Sequence, residues 1–481
     1  MQVKRNINSK KTTKTLLILL FTFMGIFSTM AQDIITFRWY AEGAKNVTIQ
    51  ATADETFTIN WGDATIETKI GSGDVDIELN HIYATPNEYT VTVAVSSPDC
   101  RFTMFDCFNS DPWGEQVENN LISSLTFSDC SALTYLDCSL NELTSLNLAS
   151  CTNLSTLICS SNQSTNLDLS ECTALRLLVC SNNKLTSLDL TNLSALNSLY
   201  CNNNELANLY VMGCSALQTI ECQRNMLTNL DLNNCSALST LLCFNNQLTN
   251  LDLTGCTALS TLSCPNNQLT SLELTDCIAL NSISVVNNKF LPSYLYMANL
   301  LIDNPNNKYL GTQNLQPQTI AQEEVIDYSN EVEFGGTTTN FIIEKNGSPA
   351  IIDADYSINN GIITFYNLGV FTITMSNEAI VSHPNYPAVV ISTINVETAG
   401  LHENFISNIK IYPNPTTGIL LIECENHSII KLYDMLGKEV LTKTANGKTE
   451  IDISHLSKGV YPLRVFSDGK IIWNNKIVKQ W

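Results

Sequence analysis

The stretch Leu175-Arg-Leu-Leu-Val-Cys180-Ser-Asn-Asn183-Lys-Leu-Thr-Ser-Leu-Asp-Leu190-Thr-Asn-Leu-Ser-Ala195 decides the architecture of this chain. It is one copy of a 21-residue unit, L-x-x-L-x-C-x-x-N-x-L-x-x-L-x-L-x-x-C-x-x, that repeats through the middle of the sequence. One cysteine column runs through Cys138, Cys159, Cys180, Cys201, Cys222, Cys243 and Cys264. A second runs through Cys130, Cys151, Cys172, Cys214, Cys235, Cys256 and Cys277. Asparagine keeps the same beat at Asn141, Asn162, Asn183, Asn204, Asn225, Asn246, Asn267 and Asn288. A fixed period of this length means one supersecondary coil per repeat, each burying its apolar edge only against its neighbours. The middle of the chain is a solenoid.

The first half of each unit, such as Leu157-Ile-Cys159 or Leu178-Val-Cys180, alternates in and out as a short strand does. Stacked coils then form a parallel sheet with neighbours about 4.8 Å apart. An asparagine amide both donates and accepts, so a stacked asparagine column can satisfy buried backbone groups at a turn. The second half, such as Leu188-Asp-Leu190, predicts another short strand on the outer side. Its exposed position reads Asn147, Asp168, Asp189, Tyr210, Asp231, Asp252, Glu273. This acidic stripe is a solvated face or, alternatively, a weak cation site with one carboxylate per coil.

The first eleven positions of the unit resemble the leucine-rich repeat core, L-x-x-L-x-L-x-x-N-x-L, with cysteine in the third leucine slot. The resemblance spans Leu121 to Leu301. A degenerate opening coil starts at Phe105-Asp-Cys107, with an insertion around Trp113.

The 17 cysteines would suggest a disulfide framework in an exported chain. The columns argue against it. The slots that lack cysteine hold Leu193 and Val285, so each position asks for a small hydrophobe, which a free thiol is. Parallel side chains on adjacent coils also point the same way, which suits the disulfide torsion poorly. Cys100 and Cys107 stand outside this pattern and are the expected bridge. No C-x-x-C occurs and no histidine lies near the columns, so no metal site is expected.

The ends add an address. Lys4, Arg5, Lys10, Lys11 and Lys14 precede an apolar run from Leu16 to Phe27 and small residues up to Ala31, the pattern of a signal peptide over 1–31. Its apolar core is too short to span a bilayer, and no later transmembrane segment is expected. Near the other end stand Ile409-Lys-Ile-Tyr-Pro-Asn-Pro-Thr-Thr-Gly418, Ile430-Lys-Leu-Tyr-Asp-Met-Leu-Gly-Lys-Glu-Val440 and Leu456-Ser-Lys-Gly-Val-Tyr461. Residues 405–481 resemble the C-terminal sorting domain of the type IX (Por) secretion system. This implies handling by that machinery and a secreted, outer-surface location. Pro462 departs from the pattern where a continuing strand residue is usual.

Between these parts, Trp61-Gly-Asp63, His81-Ile-Tyr83 and Tyr89-Thr-Val91 resemble a PKD-type domain, which implies an immunoglobulin-like β-sandwich over 33–97. Residues 325–398 are strand-rich and read as a second sandwich, after an Asn-, Gln- and Pro-rich linker at 311–324. The fold class is therefore multidomain and mainly β: a leucine-rich repeat solenoid with caps over 98–310, flanked by immunoglobulin-like sandwiches.

A formal net charge of −21 disfavours nucleic acid, whose phosphates need clustered Lys and Arg. None of the five histidines falls in the solenoid, and the H-E-x-x-H, G-x-S-x-G and phosphate-loop motifs are absent. No catalytic residue and no cofactor is expected, and a secreted hydrolase is the least supported reading. The positions that vary lie on the expected concave sheet face: Asp137, Ile158, Val179, Tyr200, Glu221, Leu242, Ser263, Ser284, and one step beyond the cysteine, Phe244 and its equivalents. Ile158, Val179, Tyr200, Glu221, Leu242 and Phe244 form the candidate binding surface. Residue preference in parallel strands is the competing account of the same pattern. The partner is a protein or, through the sandwiches, a glycan.

Overall fold

The computed structural model describes residues 32–108, 122–233, 235–398, 409–413, 416–433, 438–467 and 470–480. The expected signal peptide and the insertion around Trp113 lie outside the described residues.

The repeat folds as its periodicity dictates. Three-residue strands, from Tyr135–Asp137 through Thr156–Ile158, Leu177–Val179, Ser198–Tyr200, Thr219–Glu221, Thr240–Leu242 and Thr261–Ser263 to Ser282–Ser284, stack in parallel. The register steps by one coil each time, so Leu157 faces Leu178 and Leu178 faces Leu199. The central leucine or isoleucine of every strand is buried and its neighbours are half-buried, except Asp137, which is buried too. On the outer side, among the described residues, only Ser187–Asp189 and Asn208–Tyr210 pair as strands, with single bridges at Asn147, Asp168 and Asp231.

The asparagine column supplies the missing hydrogen bonds. Asn204 Oδ1 accepts from the Leu185 amide of the preceding coil at 3.0 Å. Its Nδ2 donates to the Cys180 carbonyl at 3.0 Å and the Cys201 carbonyl at 3.1 Å. The same arrangement recurs from Asn141 to Asn288. Just before each asparagine the chain turns through the left-handed region, at Leu140, Ser161, Asn182, Asn203, Arg224, Asn245, Asn266 and Asn287, with φ between 54° and 57°.

The acidic stripe has a structural task too. Asp168, Asp189, Asp231 and Asp252 each accept the backbone N–H two residues on, at 2.9–3.0 Å, closing the outer turn. Those hydrogen bonds hold the Asp168, Asp189 and Asp252 carboxyls below the usual carboxylate range.

Six strands build the N-terminal cap: β1 (Ile34–Ala51), β2 (Thr56–Asn60), β3 (Ile66–Ile70), β4 (Ile77–Val95), β5 (Phe102–Asp106) and β6 (Ile122–Ser128). They are not set apart from the solenoid. β5 pairs antiparallel with β1 and parallel with Tyr135–Asp137, so cap and coils share a 15-stranded sheet. Phe105 continues the leucine column into an aromatic core with Phe37, Trp39, Phe57 and Phe102. His81 lies flat on Trp61 with ring centroids 4.7 Å apart and meets Asp63 Oδ2 at 2.7 Å, while Tyr83 donates to the Trp61 carbonyl.

The far end is closed by α1 (Pro292–Leu301), which starts on a proline and buries Leu295 and Ala298. The buried Glu331 carboxylate accepts from the Ser293 amide at 2.7 Å, tying the N-terminus of α1 to the next module. The stretch 311–324, expected as a linker, contributes two strands instead. Thr312–Asn314 and Gln318–Ala321 run parallel to Val389–Glu397. Gln313 is the reason: fully buried, it accepts from the Asn288 amide and donates to Val285 and Leu310, closing the asparagine column. Its six-stranded sheet packs on a three-stranded one through Phe365 and Phe371, making a sandwich.

The C-terminal strands Lys410–Tyr412, Ile419–Tyr433, Glu439–Asp452, Gly459–Ser467 and Lys470–Lys479 form a separate five-stranded sheet with its own core of Leu420, Ile422, Ile430, Leu432, Val465 and Ile477. Pro462 sits one residue beyond the segment where Gly459–Ser467 pairs with Ile419–Tyr433, so its missing N–H leaves that ladder intact.

Candidate binding surface

Five of the six candidate residues stand on consecutive rungs. Asp137, Ile158, Val179, Tyr200, Glu221, Leu242, Ser263 and Ser284 are register partners in one unbroken row. Phe244 lies two residues after Leu242, past the buried Cys243, in the adjoining row with Gln223 and Pro265. All six are half-buried. They form a ridge on the sheet whose side chains are partly covered rather than standing free in water.

The row extends further than its repeat pattern shows. It begins at Asp106, opposite Asp137. Asp137 is buried and its carboxylate accepts from the Ser139 amide at 2.9 Å. Burial, reinforced by the charges of Asp137 and Asp76, pushes the Asp106 carboxyl up to about 6 against a hydrogen bond from the Phe108 amide. At the other end Ser284 pairs with Tyr309. Tyr309 stacks on His383 with centroids 4.8 Å apart and meets Tyr386 edge-on at 5.5 Å. The face therefore runs from an acidic pair, over an apolar ridge, to an aromatic cluster. His383 borders an open cavity of about 580 Å³ whose lining is mixed, with Thr337, Asn340, Asn377 and Ser382 beside Ile380 and Val381.

Behind the ridge the thiols are shielded. The 16 cysteines other than Cys424 are all free and buried, including Cys100 and Cys107, which corrects the expected bridge. Register explains why: Cys107 follows Asp106, so it stacks beside Cys138 as the first rung of the column. Burial pushes the thiols of Cys159, Cys222 and Cys264 up to about 12 and those of Cys138, Cys180, Cys201 and Cys243 well above the ordinary range. Thiolate is the reactive form, so these positions are chemically quiet. Among the described residues no group of three or more His, Cys, Asp or Glu is placed to hold a metal ion.

Residues 410–480 match the secretion system C-terminal sorting domain. With the solenoid, this makes the chain an exported protein of stacked leucine-rich coils whose sorting domain directs secretion and attachment at the cell surface. Among the described residues no helix is long and apolar enough to cross a membrane, which says nothing of a β-barrel. Similar solved structures include the functional domain of InlJ from Listeria monocytogenes, which includes a cysteine ladder. It is 25% identical, with a TM-score of 0.43, over 61% of this chain and 67% of that one. The leucine-rich effector YopM from Yersinia pestis is 29% identical, with a TM-score of 0.32, over 38% of this chain and 49% of that one. An internalin-like protein of Listeria monocytogenes is 19% identical, with a TM-score of 0.33, over 51% of this chain and 80% of that one. No curated protein matches the chain.

Proposed function

We propose that the protein is a non-enzymatic adhesion scaffold that captures a protein partner on the sheet face of its solenoid. The observation that carries this is the row Ile158, Val179, Tyr200, Glu221 and Leu242, where chemistry varies from rung to rung on a framework that does not. Ser and Thr dominate its borders and the basic side chain on the neighbouring strand, Lys308, is buried, which favours a mixed apolar and polar partner over an anionic one. The N-terminal strands serve in this reading as a PKD-like cap that holds the first coil, and the sorting domain hands the folded scaffold to the type IX machinery.

A second reading rests on Tyr309, His383 and Tyr386. An aromatic cluster that reaches an open cavity of mixed polar and apolar lining through His383 suits a pyranose ring, so the sandwich would hold a glycan while the row holds protein. The test is capture of host and bacterial surface extracts by the full secreted chain. Tyr200→Ala with Leu242→Ser and Phe244→Ser should lower protein capture by about tenfold or more, and Tyr210→Ala on the outer side should not. Loss of capture with Tyr386→Ala and retention with the triple variant would favour the glycan reading.

A further inference from the structure

Strand β3, Ile66-Glu-Thr-Lys-Ile70, is the last strand of the 15-stranded sheet. It pairs with β2 on one side and, among the described residues, with nothing on the other. The pairing decides which of its backbone groups are free. Trp61 donates to the Thr65 carbonyl at 3.0 Å and Gly71 donates to the Glu55 carbonyl at 2.7 Å. Hydrogen-bonded pairs alternate along an antiparallel ladder, so Thr65, Glu67, Lys69 and Gly71 turn their N–H and C=O groups toward β2. Ile66, Thr68 and Ile70 turn theirs outward. The same three side chains are exposed, Ile66 at 66% and Ile70 at 63%. Glu67 and Lys69 lie on the opposite face, joined by an ion pair of 3.4 Å.

We propose that this edge pairs with the same edge of a second copy of the chain, antiparallel about a two-fold axis through Thr68. Read from either end, the strand runs apolar, charged, hydroxyl, charged, apolar, with the two charges opposite in sign. Antiparallel self-pairing therefore sets Ile66 against Ile70, Thr68 against Thr68, and Glu67 against Lys69. The register is also the one the free backbone groups require. Two bonds form at each of the pairs 66–70, 68–68 and 70–66, and the charged pairs fall at the closely spaced positions between them. Shifting the strands by two residues, or pairing them in parallel, loses the charge match. The strand has no proline and no bulge in its pairing with β2 to blunt the edge, and its lysine is balanced by Glu67. Such a contact is isologous and closes on itself as a dimer. Five residues give a small interface, weak in dilute solution and strengthened when copies are held together at a cell surface.

Sedimentation velocity on the full secreted chain, from about 1 µM to about 1 mM, reads the result. The wild type should form a reversible dimer. Glu67→Lys and Lys69→Glu each turn two attractive cross-strand pairs into repulsive ones and should weaken the dimer by about tenfold. An equimolar mixture of these two variants restores both pairs and should return to within about threefold of wild type. Thr68→Pro removes an outward N–H without touching the β2 ladder and should abolish the dimer, with unchanged circular dichroism. A chain that stays monomeric at the highest concentration, a dimer indifferent to both charge reversals, or a mixture no tighter than either variant alone would overturn the proposal.

Discussion

Replacing Asn204 by alanine removes three hydrogen bonds from the middle of the stack. The Leu185 amide loses the Oδ1 acceptor it meets at 3.0 Å, and the Cys180 and Cys201 carbonyls each lose a donor. The two carbonyls keep a second partner, because Asn183 and Asn225 also donate to them. The amide keeps none among the described contacts. An orphaned buried N–H costs about 1–3 kcal/mol, and each weakened carbonyl adds about 0.5–1 kcal/mol, so the loss should be about 3 kcal/mol. In a solenoid each coil is stabilised by its neighbours, so a defect at the centre also weakens the coupling between the two halves. Urea unfolding followed by circular dichroism measures the loss, with Asn208→Ala, an exposed outer-strand residue, as the control expected within about 0.5 kcal/mol of wild type. A loss for Asn204→Ala below about 1 kcal/mol, or equal to the control, would refute the reasoning that these amides satisfy the buried backbone.

Three further outcomes follow from the same contacts. Leu140 is an exposed leucine at φ 55°, where its equivalents include Asn182, Asn203 and Asn245; Leu140→Asn should stabilise by about 1 kcal/mol in the same urea assay. Cys201→Val should be tolerated to within about 1.5 kcal/mol, as Val285 occupies the equivalent slot, whereas Cys201→Ser buries a hydroxyl and should cost about 1–3 kcal/mol. Asp106 has a folded pKa of about 6 against an ordinary 3.8, so the folded state holds its proton more tightly and stability falls as pH rises from about 4 to about 6. Asp106→Asn should therefore raise stability by on the order of 2 kcal/mol at pH 7.5 and leave it unchanged at pH 3.5, read as melting temperature at the two values.

The solenoid was legible because its constraint is periodic: leucine, cysteine and asparagine must face inward on every coil, and only a repeat can show that. What escaped the pattern is where the period breaks. Cys107 lies 31 positions before Cys138 rather than 21. Although the opening coil at Phe105 was legible, its thiol fell off the 21-residue beat and was expected to bridge to Cys100 instead of standing as the first rung. Tyr309 follows Ser284 by 25 positions because α1 intervenes, so the aromatic end of the row carries no repeat signal. Thr312–Asn314 is a polar strand whose role depends on Gln313, a single side chain reaching the last coil, and Gln318–Ala321 offers the core only Ile320. Five residues of the candidate ridge stand in one row because rung order follows from period alone. Its half-burial was not legible, because exposure depends on how neighbouring side chains close over one another.

The measurement that bears most directly on the inward-facing stack is thiol labelling of the secreted chain without reductant, read by mass spectrometry. The account predicts that the 16 cysteines buried here stay unlabelled in the native state and all react once guanidinium unfolds the chain. Native labelling along the columns, or cysteines that react in denaturant only after reduction, would contradict it.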